Sequence, residues 1–261
     1  MNEKPRILLI NPLVGDDYEF TRENRPLPLG LLSAASGLTD AFDVRILDER
    51  MEDPDAYLAS GACRDNLCVG LHVMGGPQIL TALDLSRRIK AAADVPVVWG
   101  GVFPTLRTRE VMSDPAVDYV VRGEGEETVH DLARALRDGG DVEKLEGVAF
   151  RRNGEIRVNP DRPFLDMNTL PPLPYHLLDL RRYSWSASVN VSPDFKLQVE
   201  TSRGCSSRCI YCYNPFYYRR SWRAMNAETT VDRFERLVHD HGCDFVDVID
   251  DSYFEDLQRV V

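Results

Sequence analysis

Leu67-Cys68-Val69-Gly70-Leu71-His72-Val73 is an apolar run that stops at Met74-Gly75-Gly76. Ile79 to Ala92 then carries Leu80, Leu83, Leu85 and Ile89 near helical spacing, and Val95-Pro96-Val97-Val98-Trp99 starts a second apolar run that stops at Gly100-Gly101. Strand, helix and strand in that order predict a parallel pair joined by a helical crossover. The unit extends in both directions. Upstream lie Arg6–Ile10 ended by Asn11-Pro12, a helical stretch from Pro28 to Leu38, and a strand over Asp43–Asp48. Downstream lie Tyr119–Arg122, the turn Gly123-Glu124-Gly125, and a helix from Glu126 to Arg137. The alternation predicts an α/β fold, a doubly wound, Rossmann-like parallel sheet with helices on both faces.

Ligands of such sheets bind outside the carboxyl ends of the strands, where the strand order reverses. Here those ends carry Asn11, Met74-Gly75-Gly76, Gly100-Gly101 and Gly123-Glu124-Gly125. One glycine there is an ordinary turn, but three glycine-bearing loops in succession let backbone approach a large flat ligand. A dinucleotide is not expected. The loop after the first strand, Asn11-Pro12-Leu13-Val14-Gly15-Asp16-Asp17, has no G-x-G-x-x-G, and Gly123-x-Gly125 follows the wrong strand.

Composition narrows the class further. The 261 residues are 43% hydrophobic and 28% charged, an ordinary globular balance. A formal charge of −11 disfavours broad nucleic-acid or anionic-membrane binding. No apolar run approaches the roughly 18–20 residues of a membrane span, and Ile7–Ile10 is too short for the core of a signal peptide. A cytoplasmic chain is expected, in which cysteines serve as ligands, catalysts or buried fillers rather than disulfides.

The middle reads as a connector over 141–194, following a first domain over 1–140. Leu145 to Val158 is two alternating runs around Asn153-Gly154, a strong hairpin signal. Prolines at 160, 163, 171, 172 and 174 then bar a continuing helix or central strand.

A last segment, 195–261, carries the chemistry. The strand Lys196–Thr201 runs through Ser202-Arg203-Gly204 into Cys205-Ser206-Ser207-Arg208-Cys209-Ile210-Tyr211-Cys212. Three thiolates in C-x3-C-x2-C can hold three corners of an iron–sulfur cube and leave the fourth iron open. Zinc is the competing occupant, with a fourth ligand drawn from His239, His241 or Cys243.

This cysteine motif, led by Thr-Ser-Arg-Gly and with Tyr211 before its last cysteine, resembles that of radical S-adenosylmethionine (SAM) enzymes. The upstream half is similar to the cobalamin-binding domain of their cobalamin-dependent branch, which holds the anaerobic magnesium-protoporphyrin monomethyl ester cyclases and many methyltransferases. The matching stretches are Ile10-Asn11-Pro12, Pro28-Leu29-Gly30, Val98 to Thr105, Val121 to Glu126, Pro163-Phe164-Leu165, Leu173-Pro174-Tyr175, Trp222-Arg223 and Ile249-Asp250-Asp251.

The resemblance implies that Cys205, Cys209 and Cys212 hold a [4Fe-4S] cluster whose open iron is chelated by SAM. One electron then yields a 5′-deoxyadenosyl radical, or SAM methylates reduced cobalamin. Tyr211 would pack near the adenine or cap the cluster. Arg203 and Arg208 would offset cluster charge or stay solvated. Cobalamin would rest on Asn11, Met74, Gly75, Gly76, Trp99, Gly100, Gly101, Val102, Phe103, Gly123, Glu124 and Gly125. Residues 11–40 contain no histidine, so cobalamin should be base-off without a histidine ligand, and His72 reads as packed core. A small-molecule substrate and a flavodoxin- or ferredoxin-type electron donor follow.

Radical SAM barrels use about six strand–helix units, whereas from Phe195 the sequence holds two strands, the helix Ala227–Asp240 and the start of another. The expectation is therefore the beginning of a partial TIM barrel, in a fragment or a truncated protein. Asp250, Asp251 and Phe254 fall where the second barrel strand ends. The function expected is methyl transfer to, or radical cyclisation or rearrangement at, an unactivated carbon. The alternative is a non-catalytic cobalamin-binding sensor with a vestigial barrel.

Overall fold

The computed structural model describes residues 4–15, 25–183 and 195–259. They fall into two compact units. The first takes in 4–15, 30–164 and 173–178; the second takes in 25–29, 165–172, 179–183 and 195–259.

The first unit is built on a seven-stranded sheet of order β2-β1-β3-β4-β5-β6-β7. Its strands are β1 (Arg6–Asn11), β2 (Asp43–Asp48), β3 (Asn66–His72), β4 (Val97–Gly100), β5 (Tyr119–Val121), β6 (Val148–Arg152) and β7 (Glu155–Val158). The first five pair in parallel; β6 and β7 are antiparallel additions at the edge. Ile7, Leu8, Leu9 and Ile10 are all buried, as expected of an inner parallel strand covered on both faces. The helices are α1 (Leu29–Ser36), α2 (Pro54–Ala59), α3 (Gln78–Ala92), α4 (Val102–Leu106), α5 (Thr108–Met112) and α6 (Gly125–Asp138). α3 turns Ala82, Leu85 and Ile89 into the core, each worth about 1–3 kcal/mol with its packing neighbours. The short α2, α4 and α5 are not visible in the hydrophobic periodicity, because one or two turns give no repeat to read.

The predicted hairpin forms, with Asn153 (φ 51°) and Gly154 (φ 82°) at its turn. It joins the sheet through β5. The stretch beyond it is pinned to the same unit: Asn159 Nδ2 donates to the carbonyls of Val142 (2.9 Å) and Leu145 (2.7 Å). Arg162 reaches Thr128, Glu127 and Asp131 on α6.

The second unit has a parallel pair, β8 (Lys196–Val199) with β11 (Phe245–Val248), and an antiparallel pair, β9 (Ser202–Gly204) with β10 (Trp222–Ala224). α7 (Asn214–Tyr217) and α8 (Ala227–His239) complete it. β8, α8 and β11 form one strand–helix–strand repeat of the kind expected at the start of a barrel. No helix among the described residues is long and apolar enough to cross a membrane.

Candidate cofactor sites

β1 pairs with β2 on one side and β3 on the other, so the chain reverses direction across the sheet between β1 and β3. The carboxyl ends of the two strands at that switch, where ligands of such sheets bind, are Asn11 and His72. Asn11 donates through Nδ2 to Asp48 (3.2 Å), and Asp48 is itself held by the Arg50 guanidinium, both side chains being buried. Two side chains brace the surrounding loops. Gln78, 3% exposed, donates to the Pro12 carbonyl (2.9 Å) and accepts from the Met74 amide (2.8 Å), tying the loop after β1 to the loop after β3. Thr105 accepts from the Gly123 amide (2.9 Å) and donates to the Gly101 carbonyl (2.8 Å), tying the loops after β4 and β5. The sequence reading did not single out either brace for this role. A lone glutamine or threonine has no signature until the fold shows what it spans.

Gly75, Gly76 and Gly123 have no protein atom within 4 Å of where a Cβ would stand. Gly75 and Gly76 present bare backbone beside the exposed Met74, and Gly123 does so after β5. Gly100 and Gly125 are ordinary packing positions, and Val102 and Phe103 open α4, both half-buried. Glu124 is buried just before α6.

Trp99 corrects an expectation. Its side chain is 1% exposed in the core and its indole donates to Ser86 Oγ at 2.9 Å, so it cannot face a ligand. His72 ends β3 with intermediate surface exposure, and its ring packs beside Gly30 and Gly101. A Cβ on Gly101 would lie 3.1 Å from His72 Cδ2 and 2.7 Å from the Val73 carbonyl oxygen. Burial pushes the imidazole pKa down to about 4, so it is neutral at physiological pH.

In the second unit, Gly204 sets the exit into the cysteine loop. Its φ is +86°, and a Cβ there would fall 2.1 Å from the Ser221 carbonyl oxygen, so only glycine lets β9 lie against β10. Cys205 and Cys212 are half-buried and Cys209 is exposed, all as free thiols. The Cys212 amide donates to the Cys209 carbonyl (3.1 Å), and the Asn214 amide to Cys212 Sγ (3.4 Å). Tyr211 is 89% exposed, and its hydroxyl interacts with the Cys209 thiol, which raises its pKa. Arg203 is buried and bonded to Glu200 at 2.7 Å, whereas Arg208 is exposed.

The segment after β11 reaches this loop: Asp251 accepts from Tyr213 OH (3.4 Å) and Glu255 from the Ser206 amide (3.0 Å). Phe254 is exposed. Among the described residues no three His, Cys, Asp or Glu side chains converge to hold one metal ion. Cys243 is buried, its thiol pushed up by desolvation. Three exposed or half-exposed thiols on one loop, with an amide already directed at sulfur, fit a cluster. Bare glycine backbone at the braced sheet edge fits a broad planar cofactor.

Residues 18–133 match the B12 binding domain family. The chain is similar to cobalamin-dependent radical SAM enzymes. It is 30% identical over 258 residues to the anaerobic magnesium-protoporphyrin IX monomethyl ester cyclase of Synechocystis, covering 95% of this chain and 50% of that one. It is 28% identical over 262 residues to an uncharacterized methyltransferase of Pyrococcus horikoshii, covering 98% and 55%. The chain therefore spans about half the length of these curated relatives. In fold it is similar to the cobalamin- and [4Fe-4S]-bound radical SAM methyltransferase TsrM of Kitasatospora setae. That likeness has a TM-score of 0.71 at 21% identity, covering 95% of this chain and 48% of that one. The braced glycine edge described above lies largely within the B12 binding domain, and the cysteine loop lies beyond it.

Proposed function

We propose that this chain is the cobalamin-binding and cluster-bearing portion of a radical SAM enzyme that transfers a methyl group to, or cyclises or rearranges, an unactivated carbon of a small molecule. The observation that carries this is the presence in one chain of a braced, glycine-lined sheet edge and a C-x3-C-x2-C loop with open thiols. When bound, the cluster supplies one-electron reduction of SAM, and cobalamin supplies methyl or electron carriage.

The protein's own part is positioning. Cys205, Cys209 and Cys212 hold three irons, and the Asn214 amide steadies the third sulfur. Gly75, Gly76 and Gly123 admit the corrin against main chain, held in register by Gln78 and Thr105. Residues 11–40 lack histidine, which supports base-off binding without a histidine ligand from that loop. The electron donor is of flavodoxin or ferredoxin type; the same proposal gives 1–140 to cobalamin and 195–261 to the cluster, with the hairpin in 141–194 packed on the first unit's sheet.

The test is anaerobic reconstitution with iron, sulfide and hydroxocobalamin. One four-iron cluster and one cobalamin per chain are expected, followed by 5′-deoxyadenosine or S-adenosylhomocysteine on adding SAM and a reductant. Cobalamin uptake with neither product would favour the sensory alternative, and a zinc-only, iron-free protein would remove the cluster reading.

A further inference from the structure

The parallel ladder between β8 and β11 runs out in an unusual way. Its last bond beyond the paired strands is from the Ile249 amide to the Val199 carbonyl, at 3.0 Å. By parallel-sheet geometry the Thr201 amide would next donate to the Ile249 carbonyl. It donates instead to Asp250 Oδ1, at 2.6 Å. The other carboxylate oxygen accepts from Thr201 Oγ1 (2.7 Å) and from Ser202 Oγ (2.6 Å). Both donors are fully buried residues, Thr201 at 0% and Ser202 at 1% exposure. Arg259 closes the arrangement from the far side, its Nη2 donating to the Thr201 carbonyl (3.1 Å) and hydroxyl (2.5 Å).

A side chain has taken the place of a backbone acceptor, and this is where the chain leaves one sheet for the other. After Val199 the strand stops following β11, and Ser202–Gly204 pairs antiparallel with Trp222–Ala224. Cys205 follows at once. The tip of the loop beyond is unpacked: Cys209 is exposed, Ile210 is 97% exposed and Tyr211 89%. Its first sulfur is held between the corner at its base and the bonds that Ser206 makes to Glu255.

We infer that Asp250 is a positioning residue for the cluster: by gripping Thr201 and Ser202 it fixes the corner from which Cys205, Cys209 and Cys212 are presented. This rests on the cluster reading above. Charge-assisted bonds of this length are among the stronger ones a side chain makes, and three on one carboxylate leave the corner little freedom.

The experiment compares the full chain with Asp250→Ala, Asp250→Asn and Ser202→Ala after anaerobic reconstitution. It measures iron and sulfide per folded chain, the electron paramagnetic resonance spectrum of the reduced cluster, and the rate of iron loss to a chelator. Asp250→Ala should hold less than half the wild-type iron and lose it at least about tenfold faster. Asp250→Asn, which keeps one acceptor oxygen, should fall between. Ser202→Ala removes one bond of the three, and should broaden the spectrum and speed iron loss in a chain that folds even if Asp250→Ala does not. Cobalamin uptake should stay at the wild-type level in every variant. Wild-type iron content, spectrum and loss rate in folded Asp250→Ala or in Ser202→Ala would overturn the inference, even if the melting temperature dropped. A wild-type chain that takes up no iron would overturn the cluster reading, and this inference with it.

Discussion

A Cβ built on Gly30 would lie 2.6 Å from Nε2 of His72. Gly101 lies on the Cδ2 side of the ring, where a Cβ built on it would come within 3.1 Å. Gly30 sits in the first turn of α1 with an ordinary helical backbone, where alanine would by intrinsic preference gain up to about 1 kcal/mol. The overlap should reverse that sign. Gly30→Ala is expected to lose about 1–2 kcal/mol in urea denaturation. In a His72→Ala background the same change should become neutral or stabilising, so the double-mutant cycle isolates the contact.

His72 also sets a pH dependence. Its ordinary pKa of 6.5 falls to about 4 in the fold because burial penalises the charged ring. Between those values the unfolded chain binds a proton that the folded chain excludes. Stability should therefore be complete above about pH 6.5, decline as the pH falls toward 4, and gain no further loss from this group below that. The cofactor-free chain should lose about 1–3 kcal/mol more across that window than a His72→Gln variant, by denaturation at stepped pH. Parallel curves for the two would remove the assignment.

The six cysteines should divide into two reactivity classes. Cys63, Cys68 and Cys243 are buried, and the Cys68 thiol is pushed up to about 12 by burial. Cys205, Cys209 and Cys212 are accessible. Alkylation of the reduced, metal-free chain at pH 8, followed by peptide mass spectrometry, should label the second trio at least about tenfold faster. Loading with iron and sulfide should protect that trio alone.

Core and edge roles at the β4 end can be separated by two substitutions. Trp99→Phe removes the indole bond to Ser86, whose hydroxyl still donates to the Ala82 carbonyl at 2.7 Å. A loss of about 1 kcal/mol in stability is expected with cobalamin affinity unchanged. Thr105→Val cuts the link between the Gly101 and Gly123 loops, and should weaken cobalamin binding several-fold in a spectrophotometric titration. The opposite pattern would return Trp99 to the ligand site.

The inner strands were legible because burial on both faces leaves nothing but apolar residues, as in Ile7–Ile10. The cysteine loop stood out in the sequence because three cysteines within eight residues have few uses other than as ligands. The β9–β10 pair was not, since Ser202-Arg203-Gly204 has no alternation; its register depends on Gly204 meeting Ser221, a contact across the chain. Trp99 was misplaced for a related reason. A residue one step before a glycine turn can point into the core as easily as toward the edge, and only its partner Ser86, on α3, decides. Gln78, Thr105 and Asp250 act by bonds to residues remote in sequence, or to a corner that exists only once two strands have paired.

The antiparallel hairpin also decides what one edge of the sheet offers to a further strand. Along β7, Ile156 and Val158 pack inward while Glu155 and Arg157 form an outward ion pair at 2.7 Å. A newcomer strand would have to strip water from both charges before it could hydrogen-bond along that rim. The hairpin thus ends the sheet on that side in a polar border, a feature that disfavours edge-to-edge strand pairing.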